Sequence, residues 1–107
     1  MWEVIEYLDD VGESPFDCWL STLNDAQGQA RIDARIARLA EGLFGDCKPL
    51  SEGVWELRVN WGPGYRVYYA QSGRRVILLL CGGDKRAQRA DIKRAIRYWQ
   101  NWKRRMK

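Results

Sequence analysis

Histidine is absent from this sequence. That removes the commonest general base and the commonest metal ligand together, and it rules out Ser-His-Asp and Cys-His catalysis. Cysteine is scarce. Cys18, Cys47 and Cys81 are odd in number and widely spaced, with no CxxC pair, which argues against a disulfide framework or a zinc site. Cys81 lies in an apolar run and reads as a small buried hydrophobe. The carboxylates follow no HExxH, EF-hand or paired-Asp spacing, so no metal and no other cofactor is expected. Gly82-Gly83 is not part of a GxxxxGK[ST] phosphate loop. No apolar run approaches the roughly 18 residues of a membrane span, and no basic-then-apolar leader opens the chain. A cytoplasmic protein without membrane contact is expected.

What is present suits one modest core. The 107 residues are 46% hydrophobic and include six Trp and five Tyr, which favours a single folded domain over residues 1–107. Charge is unevenly placed. Residues 1–83 carry eight Lys/Arg against twelve Asp/Glu, whereas residues 84–107 carry ten against two. Such a basic end suits a polyanion or an acidic protein partner; the alternative is a solvated helix face ending in a basic tail.

The stretch from Gly53 to Arg86 organises the rest. Trp55, Leu57, Val59 and Trp61 alternate with Glu56, Arg58 and Asn60. After Gly62-Pro63-Gly64, Tyr65, Val67 and Tyr69 alternate with Arg66 and Tyr68. After Gln71-Ser72-Gly73-Arg74, the run Val76–Cys81 is apolar on both faces. Three β-runs separated by glycine-containing turns predict a three-stranded antiparallel meander, with the third strand the most buried. By alternation Arg58 and Arg66 share a face with Glu56 and Tyr68, and Lys85 and Arg86 arrive just beyond the last strand. Trp55, Trp61, Tyr65 and Tyr69 read as core.

An N-terminal strand is expected over Trp2–Leu8. Ser14-Pro15 opens a short helix striped by Phe16, Trp19, Leu20 and Leu23, with Asp17 placed to complete a capping box. Asn24-Asp25 caps a longer helix, Ala26 to Leu43, with Ile32, Ile36, Leu39 and Leu43 on one side. The two helices form a hairpin across one sheet face. Residues 46–53 read as a loop. A last helix carries Ile92, Ala95, Ile96, Trp99 and Trp102, with residues 103–107 expected as a frayed basic tail. The fold class is α+β: an N-terminal strand and helical hairpin, a three-stranded antiparallel meander and a C-terminal helix.

Lys, Arg, Tyr and an occasional carboxylate are the chemistry that remains. RNA cleavage through its own 2′-OH needs only a base, cations at the scissile phosphate and an acid at the leaving oxygen. Arginine offers a planar fork for phosphate oxygens, and a lysine crowded by cations can move a proton. Arg58, Arg66, Lys85 and Arg86 are the candidate catalytic residues, and Tyr68 the candidate stacking or acid residue. On pattern alone an arginine here is equally a partner for Glu56 across the strands.

Gly53-x-Trp55-Glu56-Leu57-Arg58, Gly64-Tyr65-Arg66-Val67-Tyr68-Tyr69, Gly83-Asp84-Lys85 and Gln88-x-x-Asp91-Ile92-x-x-Ala95 resemble toxins of the RelE/ParE superfamily. The nearest branch is the HigB-like, phage-related addiction-module killer proteins of type II toxin–antitoxin systems. The likeness runs from residue 2 to about residue 103. It implies a RelE-like fold and a metal-independent mRNA endoribonuclease acting with the ribosome. It also implies a cognate, HigA-like helix-turn-helix antitoxin in a hetero-oligomer. Arg66 matches the phosphate-binding arginine, Arg58 the basic position on the preceding strand, and Lys85 and Arg86 the basic residues after the last strand. Tyr68, Arg89 and Lys93 are the RNA-binding candidates. RelE-like enzymes carry Tyr, and HigB-like ones His, early in the C-terminal segment. This chain has Gln88 and Asp91 there, so the general base falls to Lys85 with Glu56 in reserve. The superfamily's other branch implies a ParE-like gyrase inhibitor, and a non-enzymatic nucleic-acid or host-factor binder is the remaining alternative.

Overall fold

A computed structural model describes residues 1–107. The elements are β1 (Glu3–Glu6), α1 (Pro15–Thr22), α2 (Ala26–Ala40), β2 (Cys47–Pro49), β3 (Val54–Val59), β4 (Tyr65–Ser72) and β5 (Val76–Asp84), then a 3-10 turn (Lys85–Ala87) and α3 (Gln88–Arg105). They form one five-stranded mixed sheet in the order β1-β5-β4-β3-β2, the expected α+β class. The meander β3-β4-β5 is antiparallel, and β1 joins its outer side parallel to β5. β2 falls where a loop was expected. It pairs Cys47–Pro49 with Trp55–Leu57 and is too short to show an alternation before Pro49 ends it. No helix is long and apolar enough to cross a membrane.

Both sheet faces are covered. Phe16, Ile32 and Leu39 of α1 and α2 pack on Leu57, Val67, Tyr69 and Ile77. On the opposite face, Ala95 and Trp99 of α3 pack on Val54, Tyr68, Ala70 and Leu80. This second cover explains why β5 is apolar on both sides. A bulge in β5 controls the last step. The register slips between Tyr68 and Tyr69, leaving Leu80 without a partner. The faces of the following residues are thereby exchanged. Gly82 meets the Trp19 ring of α1, Gly83 meets the Asp91 carboxylate of α3, and a Cβ on either glycine would overlap its neighbour.

Caps follow the local chemistry. The Asp17 N–H donates to Ser14 Oγ at 3.0 Å, and the Gly28 N–H donates to Asp25 Oδ1 at 2.9 Å. The helix predicted to reach Leu43 stops at Ala40. Gly42, at φ 81°, turns the chain, and the N–H groups of Gly42 and Leu43 donate back to Leu39 and Arg38 carbonyls. The C-terminal end is more ordered than its charge suggests. α3 continues to Arg105, whose guanidinium donates to Leu8 O at 2.6 Å and to Asp10 Oδ1 at 2.9 Å. Within the expected tail, residues 103–105 are thus helical and Arg105 is tied to the β1–α1 loop, while Met106 and Lys107 lie beyond the helix.

Candidate active site

The polar face of the meander lies under the first turns of α3. Arg58 and Arg66 are direct cross-strand partners, and Glu56 precedes Arg58 by two residues on the same side. Glu56 is fully buried. Its Oε2 lies 2.9 Å from Arg58 Nε and 3.7 Å from Arg66 Nε, and its Oε1 accepts from Gln88 Nε2 at 2.6 Å. Arg58 keeps 34% of its side chain exposed and Arg66 only 11%. The pattern-level alternatives for the arginines thus coexist: they are partners of Glu56, and they are clustered. The hydrogen bond to Glu56, helped by that carboxylate's charge, holds Arg58 protonated even more firmly than usual.

Lys85 and Arg86 lie in the 3-10 turn, both exposed. A methyl group on Gly64 would sit 3.4 Å from Lys85 Cβ and 3.6 Å from Arg66 Nη1, so this turn packs against both side chains and they share one rim. Arg66 Nη1 leans on the carbonyls of Gly64 and Tyr65 at 3.3 and 3.2 Å. Arg86 turns toward Asp84, with Nη2 3.2 Å from Oδ2. The Arg86 guanidinium beside Asp84 holds that carboxyl below its ordinary range. Lys85, Arg86, Gln88 and Arg89 line a shallow recess of about 450 Å³ at the start of α3. Lys93 is exposed one turn further on. A larger recess of about 620 Å³ lies beside α2, lined by Arg35, Arg38, Phe44 and Asp46, and holds none of the clustered groups.

Two expectations change. Tyr68 does lie on the arginine side, but α3 covers it completely. A ring with no exposed surface cannot stack on a base. Burial first, then the charges of Glu56 and Asp91, push its phenol well up, and the hydroxyl has no hydrogen-bond partner. Glu56 does not suit the reserve role of general base, because it is enclosed and both its oxygens are engaged by donors. Gln88 was missed as a site residue. Its place at the head of the Gln88-x-x-Asp91-Ile92 motif, two residues after Arg86, was the available signal.

Asp91 completes the buried polar end. Burial raises its carboxyl, an effect opposed by Arg94 at 2.6 Å. Its Oδ2, like Arg66 Nε and the Tyr68 hydroxyl, is buried without a hydrogen-bond partner. No three Cys, Asp or Glu side chains gather in a geometry that could hold a metal ion. Chemically the arrangement offers two guanidinium groups on one carboxylate, with an ammonium on the same rim. That combination is suited to a phosphodiester.

Comparison with known proteins supplies the context. Residues 18–100 match the family described as Phage derived protein Gp49-like. An uncharacterized protein of Haemophilus influenzae is 50% identical over 80 residues, which is 75% of this chain and 81% of that protein.

Proposed function

Since the chain belongs to the phage-derived Gp49-like family, a toxin-like addiction-module group, we propose that it is the toxin of a type II toxin–antitoxin pair and an mRNA endoribonuclease of the RelE/HigB kind. The observation that carries this reading is the cross-strand pair Arg58–Arg66 on one buried carboxylate, with Lys85 on the same rim. In the proposed reaction the 2′-OH loses its proton, its oxygen bonds to phosphorus and the bond to the 5′-oxygen breaks. A 2′,3′-cyclic phosphate and a 5′-hydroxyl result. Arg58 and Arg66 stabilise the charge that grows on the phosphate oxygens, and Lys85 takes the 2′-OH proton and hands it to the departing 5′-oxygen. Arg86, Arg89 and Lys93 hold the flanking backbone through exposed charge. Tyr68 stays beneath α3 as support.

No step draws on a metal ion, and the ribosome supplies much of the RNA's orientation. The site of action is therefore translated mRNA in the cytoplasm. The antitoxin is an acidic and apolar partner for the exposed basic groups of α3, such as Arg97 and Arg104. Arg94 and Arg105 are already paired within the chain.

Primer extension on translated mRNA after brief induction tests the reading. Cuts within open reading frames are expected, together with growth arrest, and cleavage by purified toxin on programmed ribosomes should survive chelation when ribosome integrity is controlled. Continued protein synthesis with accumulating DNA breaks would replace it with the ParE-like gyrase reading.

A further inference from the structure

Two arginines directly opposite each other on one sheet face repel. Arg58 and Arg66 occupy such a pair, and Arg66 is nearly enclosed. Burying charge is costly unless it is compensated. The compensating group is Glu56, which reaches both guanidinium groups from inside the sheet. Its approach is specific, since on each arginine the nearest nitrogen is Nε, at the inner edge of the group. The outer nitrogens of Arg58 are left toward solvent, where the side chain is partly exposed and Asp46 lies 4.0 Å from Nη1. The second oxygen of Glu56 is held by Gln88, the first residue of α3. One carboxylate therefore links β3, β4 and α3 at the point where the basic groups converge.

Resting on the ribonuclease reading, we propose that Glu56 is the positioning residue of this site. It sets the two guanidinium groups side by side so that the outer nitrogens of Arg58 and Nη2 of Arg66, whose Nη1 is held by the Gly64 and Tyr65 carbonyls, meet one phosphodiester, and it ties that arrangement to α3 through Gln88. It exchanges no proton with the substrate. Without its charge the arginines separate, and the phosphate meets one fork at a time.

Glu56→Gln tests this, because it keeps the volume and places an amide donor where donors now converge. Two measurements are made on the purified, folded full-length variant. In nitrogen-resolved NMR, the Nε–H signals of Arg58 and Arg66 are expected to move toward those of exposed arginines. In single-turnover cleavage of mRNA on programmed ribosomes, the maximal rate is expected to fall about tenfold to a hundredfold, the cost of a misplaced group. The toxin concentration at half-maximal rate is expected to change by less than about threefold, and the shape of the pH–rate profile to stay as in the wild type.

An unchanged rate, or unmoved arginine signals beside a lost rate, overturns the positioning role. Loss of the acidic limb of the pH profile also overturns it, since that result makes Glu56 a base. If wild-type toxin cuts no RNA, the ribonuclease reading falls, and the NMR arm still decides whether Glu56 arranges the arginines. Should Glu56→Gln fail to fold, Glu56→Asp keeps the charge but shortens the reach by one methylene. It is expected to move the signals and lower the rate, and a wild-type rate from it refutes the proposal.

Discussion

The face of the sheet under α1 and α2 and the face under α3 treat polar atoms differently. Under α1 and α2 the packing is apolar, and the polar atoms that enter are matched, as where Tyr65 donates its hydroxyl proton to Asp25 at 2.7 Å. Under α3 the packing is apolar around Trp99 but turns polar toward the helix start. Glu56, Arg66, Tyr68 and Asp91 are gathered there, and three buried atoms have no partner. Buried polar groups of that kind weaken a fold, and natural proteins concentrate such departures at functional sites. On the proposed reading the first face holds the molecule together and the second serves the chemistry, so substitutions on the two should separate stability from activity.

Arg66→Ala should give the largest change. Losing a cation that stabilises the transition state lowers cleavage on the order of a hundredfold. With only 11% of its side chain exposed, Arg66 is not the outward-facing residue that strand alternation alone suggests, so some stability goes with it. Arg66→Lys separates the effects, because it restores charge and bulk without the fork and should recover folding more than rate. Cleavage and thermal melting of the two variants check this. Equal recovery of both would dissolve the distinction between the faces.

Gly82→Ala is the matching perturbation on the closed face. The new Cβ would overlap the Trp19 ring, and overpacking of this kind costs about 1–3 kcal/mol. The melting temperature should fall by roughly 10 °C. Cleavage per folded molecule should stay near wild type, as measured by active fraction at a temperature well below the melt.

The two tyrosines give the finest comparison. Tyr65→Phe removes a hydrogen bond to a carboxylate and should lower the melting temperature by several degrees at neutral pH. Tyr68→Phe removes a hydroxyl without a partner and should melt at or slightly above wild type. Burial and Asp25 push the Tyr65 phenol up to about 12. The fold therefore keeps it neutral where the unfolded chain's phenol ionises near pH 10, and this contribution is full below about 10 and fades up to about 12. Melting curves from pH 8 to 12 should show a shallower alkaline loss in either variant. Asp25 has the opposite sign. The Gly28 N–H and the Tyr65 hydroxyl lower its carboxyl, so its contribution is present above its unfolded value near 4 and is lost as pH falls through the lower folded value. Tyr65→Phe should soften that acid limb, and Tyr68→Phe should leave it alone.

Much of this molecule was legible in residue order. Alternation over 55–61 and 65–69 located the meander strands and put Glu56, Arg58, Arg66 and Tyr68 on one side, while Ser14 and Asp25 marked the helix starts. The absence of histidine narrowed the chemistry. These features depend on neighbours two to four residues apart, where backbone geometry leaves few choices. Other features arise between residues far apart in the chain. β1 lies parallel to β5, and Gln88 of α3 reaches Glu56. The unpaired Leu80 decides that Gly82 faces α1 and Gly83 faces α3. α3 covers Tyr68, and Arg105 anchors the basic end on Asp10. Tertiary structure alone decided these, because each depends on which surfaces bury one another once the loops have closed, and local periodicity carries no record of that choice.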